Sequence, residues 1–218
     1  WSGAAAAALV VQGGPARLKS GEAGLMRALA SSIHDDGGLV SRSPLEQLAL
    51  VETLAQLRGV YFAARRDLPE ALADALAAAA GALLSVTLGD DALSSWQGGH
   101  MASRRRVLAA VAAAAAGGRP LRQGGGWGYQ RLQARTNLLV FVAAPPPPPR
   151  ALGGGCASAL PFGLSDGPHR IVGQCRGGGD EPGRAATDLR GNARGFAGAR
   201  GAWPVPGRNP ALPRLRGG

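Results

Sequence analysis

The stretch 35-DDGGLVSRSPLEQLALVETLAQLRGVYFAARR-66 decides the fold, because it contains a turn, a helix start and a long apolar helix face. Residues 35–38 predict a turn, since glycine adopts positive φ without a steric penalty. Ser43 is placed as an N-cap, with Pro44 at the first helical position and Glu46 three residues after the cap, which is a capping box. Apolar residues then recur at helical spacing: Leu45, Leu48, Leu50, Val51, Leu54, Leu57, Val60 and Tyr61. So wide a stripe predicts a helix packed on more than one side, inside a layered helical assembly.

Two further helices are predicted next to this one. Residues 22–34 carry apolar side chains at helical spacing, and Pro69 opens a helix whose stripe ends near residue 88. Because only residues 65–68 separate the two long helices, we expect them to pack as an antiparallel hairpin.

The two ends of the helical region have different signals. Ser103 is placed to cap one more helix, which runs to Ala116. At the other end, Gly13-Gly14-Pro15 would end any helix, so we expect residues 1–20 to be disordered or a truncated N-terminus.

After Pro120 the apolar spacing changes from helical to alternating, which is typical of strands. Residues 127–131 alternate, and residues 137–143 form an apolar, β-branched run. Residues 156–164 and 169–175 flank a turn sequence and predict a hairpin. Helices followed by strands favour an α+β fold with segregated helical and β regions.

The chain is therefore expected to have a helical portion at 21–118, the beginning of a β domain at 119–175, and a tail. Residues 176–218 lose every periodicity and are rich in Gly, Pro, Arg and Ala. Such a segment cannot bury an apolar face, and we expect it to be disordered.

The charge is strongly positive, with 24 Lys and Arg residues against 14 Asp and Glu residues. Arginine binds phosphate, sulfate and carboxylate, so the excess fits an anionic polymer or surface, or else a coding bias towards Arg, Ala and Gly. No recognisable nucleic-acid module accompanies the charge, which disfavours a specific nucleic-acid partner.

Other function classes lack support in the sequence. Cys156 and Cys175 are too few for a metal site or a disulfide framework; they either pair or are buried thiols. No cofactor is indicated, and no apolar run reaches the ~18 residues that span a membrane. The run 4–11 lacks a basic leader and does not indicate a signal peptide. The sequence indicates neither an oligomeric state nor a choice between periplasm and cytoplasm.

Four segments together resemble the heparinase II/III-like bacterial proteins. DDGGLVSRSPLEQL (35–48) resembles a DGGHxSRSP-type segment, and SSWQGG (94–99) lies where that family has a loop after its toroid helices. WGYQRL (127–132) resembles a GYQRL segment, and GCASALPFGLSDGPHRIVGQC (155–175) resembles a GCLSFELSDG…RIVVNCG hairpin. The resemblance covers about residues 20–175 and rests on the order and spacing of all four.

The resemblance implies the end of an (α/α) toroid of antiparallel helix hairpins, followed by the first strands of an antiparallel β-sandwich. It also implies a polysaccharide lyase, whose partner is an acidic, uronic-acid-containing polysaccharide such as a glycosaminoglycan. β-Elimination needs a group that neutralises the uronate carboxylate, a base for the C5 proton and an acid for the leaving oxygen. We expect this chain to be an incomplete fragment of such an enzyme, weakly active or inactive.

Six residues are candidates for the site: His100 and Tyr129 for catalysis, and Arg42, Ser43, Trp96 and Gln97 for substrate binding. Each has a structural alternative. Arg42 also suits an ion pair with Asp35 or Asp36, Ser43 suits a helix cap alone, and Trp96 and Gln97 suit packing between the two regions. His100 also suits a solvated loop, and Tyr129 also suits a strand core.

Three departures from the family pattern bear on function. Leu39 stands where many relatives have His, and Gly163 stands where Glu is common. After about residue 176 the family pattern stops, and we hypothesise that the reading frame changes there, which sequencing of the coding region in close relatives tests. The loss of a histidine favours an alternative, a non-catalytic glycan-binding or structural helical module.

Overall fold

The structure, a computed structural model, describes residues 1–11, 14–96, 101–115, 119–142 and 162–173. Within these residues, five helices precede four strands. The helices are α1 (Ser2–Val10), α2 (Gly14–Ser32), α3 (Pro44–Ala63), α4 (Glu70–Ser85) and α5 (Arg104–Ala114). The strands are β1 (Tyr129–Ala134), β2 (Asn137–Val142), β3 (Phe162–Asp166) and β4 (His169–Val172). The α+β class is confirmed, while both cysteines, Gln97, His100 and the tail lie outside the described residues.

Helix α3 begins where the sequence predicts. Ser43 is the N-cap, and its hydroxyl accepts a hydrogen bond from the Glu46 backbone N–H at 3.4 Å. The Ser43 backbone N–H donates to the Ser41 hydroxyl at 3.5 Å, in place of the Glu46 carboxylate that a full capping box uses. Half of the predicted box is therefore present, and it fixes the start of α3.

The wide apolar stripe of α3 is explained by its neighbours. Helix α3 contacts α1, α4 and α5, so it is covered on several sides. Leu48 and Val51 are fully buried, and α3 and α4 form the predicted antiparallel hairpin. Tyr61, near the end of α3, donates to the Glu22 carboxylate of α2. Burial and this carboxylate raise the pKa of the Tyr61 phenol. None of the described helices is both long and apolar enough to span a membrane.

The N-terminal residues differ from the expectation of disorder. Residues 1–20 contain α1 and the first part of α2, because alanine has the highest helix propensity and small side chains let the two helices approach closely. Gly21 of α2 lies against Ala5 of α1, where an added Cβ would be 3.0 Å from the Ala5 nitrogen. Pro15 stands in the first turn of α2, where its missing N–H costs no hydrogen bond. It belongs to the start of α2, while α1 ends at Val10, before Gly13-Gly14-Pro15.

The four strands form one antiparallel sheet in the order β1-β2-β3-β4. Tyr129 pairs with Val142, Leu139 pairs with Leu164, and Asp166 pairs with His169. The predicted hairpin is present, although β3 and β4 are joined by two residues and not four. The β2 side chains of Leu138, Val140 and Val142 are buried, so one face of the sheet faces the core.

Gln47 of α3 ties the turn at 35–38 to the helix hairpin. Its side chain is fully buried. The amide nitrogen donates to the carbonyls of Gly37 and Ala79, both at 2.9 Å, and the amide oxygen accepts from the Leu39 N–H at 2.9 Å. A buried amide with these bonds made is stabilising, whereas partial removal leaves polar groups unsatisfied.

We predict that Gln47→Leu lowers the free energy of unfolding by about 2–4 kcal/mol, because three buried hydrogen bonds are lost without compensation. Urea unfolding measures the change. Gln56→Leu is the matched control, since Gln56 lies exposed on the same helix and its replacement is expected to cost less than about 0.5 kcal/mol. Equal losses in the two variants would contradict the assigned role of Gln47.

Candidate functional site at the helix–sheet joint

The helical region meets the sheet at a set of residues that we call the joint. The joint has four parts. They are the turn and helix start at 35–43, the segment 86–96 after α4, the residues 124–131 that lead into β1 and begin it, and Arg170 of β4. These parts are far apart in sequence but contact one another directly, and four of the six candidate site residues belong to them.

The Asp36 carboxylate connects the turn to the approach to β1. Its Oδ1 accepts from the Gly38 N–H at 3.1 Å. Its Oδ2 accepts from the backbone N–H groups of Gly126 at 3.0 Å and Trp127 at 2.9 Å. Hydrogen bonds to an ionised acceptor are stronger than neutral ones, so this carboxylate fixes the sheet to the helices.

Both glycines of the turn are required by close packing. Gly37 has φ of +83°, and a Cβ there would lie 2.3 Å from the Ala78 carbonyl oxygen. A Cβ on Gly38 would lie 2.1 Å from Cγ of Trp127. Neither position therefore accepts another residue without moving α4 or the indole.

An aromatic cluster fills the centre of the joint. The Tyr129 ring stacks on Trp96 with centroids 5.6 Å apart, and it meets Trp127 edge-on at 4.8 Å. The Tyr129 hydroxyl donates to the Arg42 carbonyl at 2.9 Å. All three rings are buried, and the indole N–H groups of Trp96 and Trp127 have no acceptor among the described residues.

Trp96 and Tyr129 are therefore packed in the core, which is the structural alternative that the sequence offered for each of them. Trp96 has no exposed surface, so its indole face is not open to a sugar ring in this structure. Tyr129 is 2% exposed, and its hydroxyl proton is engaged by a carbonyl. The two side chains join the helices to the sheet.

Arg42 and Ser43 lie at the start of α3. Arg42 is 8% exposed and has φ of +58°, a conformation that few non-glycine residues adopt. The carboxylate of Asp36, one of its expected partners, is occupied by backbone N–H groups. The Ser43 hydroxyl caps α3, as described above. Gln97 and His100 lie outside the described residues.

Arg170 forms a second connection across the joint that the sequence did not predict. Its Nε and Nη2 donate to Asp90 at 2.7 and 3.0 Å, a bidentate pair. Its Nη1 also donates to the Ser94 hydroxyl at 3.3 Å. Nearby, the buried Ser165 hydroxyl accepts from the Gly89 N–H at 2.9 Å. These bonds attach the β3–β4 hairpin to the segment after α4.

Arg131 of β1 lies at the C-terminal end of α4. Its Nη1 donates to the carbonyls of Thr87 at 2.6 Å, Leu84 at 3.3 Å and Ser85 at 3.4 Å. A cation is favoured at this end of a helix. Burial lowers the pKa of Arg131, and the nearby Asp91 opposes that shift. The alternation of Trp127, Tyr129 and Arg131 was the sequence signal that these side chains share one face.

The chemistry available at the joint is therefore mainly that of guanidinium groups beside aromatic rings and one tyrosine hydroxyl. Arginine side chains neutralise and orient carboxylate or sulfate groups. In the parts of the chain that the structure describes, no three His, Cys, Asp or Glu side chains come together as metal ligands would.

We predict that Asp36→Asn lowers the free energy of unfolding by about 2 kcal/mol, because the amide has only one acceptor oxygen for three N–H donors. Thermal or urea unfolding measures the loss. Asp35→Asn is the control, since Asp35 is exposed and its substitution removes the same charge one residue away. A similar loss in both variants would assign the effect to charge and not to the carboxylate bridge.

A family model and solved structures relate the chain to known proteins. Residues 116–188 match the family model described as Heparinase II/III-like, C-terminal. This stretch includes all four strands and the residues leading into β1. No curated protein sequence is significantly similar to the chain.

Two structures of the heparinase III BT4657 gene product, one with methylated lysines, share the fold. Each superposes with a TM-score of 0.67 at 14% identity, over 86% of this chain for the methylated form and 88% for the other. The chain spans 34% of the length of that protein. At this identity the likeness shows the fold alone, for the helices as well as for the sheet. The chain is thus similar to heparinase II/III-like proteins in two respects: a family model matches its strands, and its helices and sheet are arranged as in heparinase III.

Proposed function

We propose that the protein is part of a lyase that cleaves acidic, uronic-acid-containing polysaccharide by β-elimination. The observation that carries the proposal is the joint itself. It combines the Arg131 guanidinium, which is held by carbonyl oxygens, with the helix–sheet arrangement shared with heparinase III. Because the chain spans about a third of that protein's length, we expect its activity in isolation to be weak, so that long incubations are needed to detect it.

The reaction makes three demands on the protein. A cation or hydrogen-bond donors must neutralise the uronate carboxylate so that the C5 proton becomes acidic. A base removes that proton, the electron pair forms the C4–C5 double bond, and the C4–O4 bond breaks. An acid then protonates the leaving O4, which gives one unsaturated end and one new hydroxyl.

His100 is assigned as the base in this proposal. An imidazole titrates near neutral pH, which suits proton abstraction. Tyr129 is assigned a positioning role, because its hydroxyl donates to the Arg42 carbonyl and its ring is held between Trp96 and Trp127. The Tyr129 hydrogen bond thereby holds the backbone at Arg42.

Arg42 and Gln97 are assigned direct contact with the substrate, Arg42 as the partner of the uronate carboxylate. Ser43 and Trp96 support them. Ser43 caps α3 next to Arg42, and the buried Trp96 anchors the chain immediately before Gln97. Of the four substrate-binding candidates, two therefore contact the substrate and two hold the contacting residues in place.

Formation of unsaturated uronate tests the proposal. The full chain is incubated for long periods with heparan sulfate, hyaluronan and alginate, and ultraviolet absorbance together with mass spectrometry detects the new double bond. Unsaturated oligosaccharides from at least one polymer are expected. Their absence with every polymer, in protein shown to be folded, would remove the lyase assignment.

We predict that His100→Gln lowers the rate of unsaturated-product formation by at least about 100-fold, since general-base catalysis contributes about 10²–10⁴. His169→Gln is the matched control, because His169 is exposed on β4 and has no assigned role. Unfolding measurements on both variants verify the fold. An unchanged rate in His100→Gln would contradict its role as the base.

We predict that Tyr129→Phe lowers the free energy of unfolding by about 1–2 kcal/mol but retains the elimination rate within about tenfold, because only a positioning hydrogen bond is lost. Tyr61→Phe also loses a buried hydroxyl contact, to Glu22, away from the joint, and it serves as the control. A loss of rate of about 100-fold at unchanged stability would instead identify Tyr129 as the base.

A second candidate function is non-catalytic glycan binding. Leu39 stands where the resembling family segment has His, and its backbone N–H is used to bind Gln47. The turn in this chain is therefore built for packing at that position. Retained binding of acidic glycans by the wild-type protein without any unsaturated product would favour this second function.

A further inference from the structure

A cleft lined by arginines lies beside the outer edge of β1. Its volume is about 540 Å³, which is within the range of about 300–1,000 Å³ typical of ligand sites. Arg119, Arg122 and Arg131 supply three guanidinium groups to its wall, and Gln123 and Gln133 supply amides. We call this feature the arginine cleft; none of the four candidate site residues that the structure describes contributes to it.

Backbone hydrogen bonds hold the arginines in place. The Arg131 N–H donates to the Arg122 carbonyl at 2.9 Å, and the Gly124 N–H donates to the Tyr129 carbonyl at 2.9 Å. The segment 122–124 thus pairs with the outer edge of β1. The backbone of Arg119 passes α4, since a Cβ on Gly81 would lie 3.3 Å from its carbonyl oxygen. The cleft is therefore framed by a strand edge and a helix.

Arg131 uses only part of its hydrogen-bonding capacity within the described protein. Its Nη1 binds three carbonyls at the end of α4, while Nε and Nη2 have no hydrogen-bond acceptor among the described residues. Arg119 and Arg122 are exposed and form no ion pair with a described residue. The described wall contains no Asp or Glu, and Asp91, which lies near Arg131, forms its own ion pair with Arg104 at 3.2 Å.

We propose that the arginine cleft is an anion subsite that binds sulfate or carboxylate groups of an acidic saccharide chain; the saccharide class rests on the proposed function. Guanidinium groups bind both anions through paired N–H donors. The described wall has no aromatic side chain, whereas single-stranded nucleic acid is usually bound by stacking its bases on aromatic rings. This difference favours the saccharide.

The double variant Arg119→Gln/Arg122→Gln tests the subsite in the full chain. Arg131 is left unchanged, because it also connects β1 to α4. The control is Arg65→Gln/Arg66→Gln, which removes the same charge at the other end of α4. That helix has 16 residues and is about 24 Å long at 1.5 Å per residue. Equal thermal unfolding midpoints verify that both variants are folded.

The probes are a heparin octasaccharide, which carries sulfate and carboxylate, a hyaluronan octasaccharide, which carries carboxylate alone, and a single-stranded DNA 12-mer. Titration calorimetry at low salt gives the dissociation constants. We expect the cleft variant to weaken heparin binding by at least about tenfold, as for a lost pair of charge-assisted contacts, and the control variant by less than about twofold. A loss for heparin alone identifies sulfate as the ligand, and a loss for both saccharides identifies carboxylate.

Two outcomes would overturn the subsite. Equal losses in the cleft and control variants would show binding by total charge, and an equal loss for DNA would show a general polyanion surface. The proposed function fails separately. If the wild-type chain forms no unsaturated product but heparin binding depends on the cleft, the subsite stands without the lyase. If product forms but the cleft variant binds normally, only the subsite is lost.

Discussion

The close approach of the turn at 35–38 to α4 is the constraint on which the rest of the structure depends. Gly37 faces the Ala78 carbonyl at a distance that excludes any Cβ, and the Gln47 amide binds the turn and α4 together. This turn also places the Asp36 carboxylate against the backbone before β1. The helix hairpin and the sheet are thus held by a few buried polar bonds, whose loss costs more than their net contribution.

The position of the sheet follows from that constraint. Gly38 admits the Trp127 indole, and Trp127 together with Trp96 encloses Tyr129. Since β1 then runs along α4, its next helix-facing side chain, Arg131, reaches the carbonyls at the end of α4. One backbone approach therefore determines both the aromatic cluster and the location of a partly buried cation.

Much of the fold was predictable, because its signals are local. The start of α3 depends on Ser43 and Pro44, and the strand hairpin depends on the turn around Gly167. The burial of Trp96 was not decided by the sequence, since the exposure of a loop aromatic is set by partners far along the chain. Arg131 was missed as a site residue for the same reason: the carbonyls it binds lie 44 to 47 residues away.

Described arginines bind two kinds of partner within the fold, carboxylates and carbonyl oxygens. Arg106 is paired with Glu52, which lowers the pKa of Glu52, and Arg170 is paired with Asp90, so these cations are neutralised within the fold. Arg131 binds only carbonyl oxygens, which orient a guanidinium without cancelling its charge. A protein that must present positive charge to an anion at a rigid position benefits from that second arrangement. A carboxylate partner would hold the side chain equally well but would compete with the ligand.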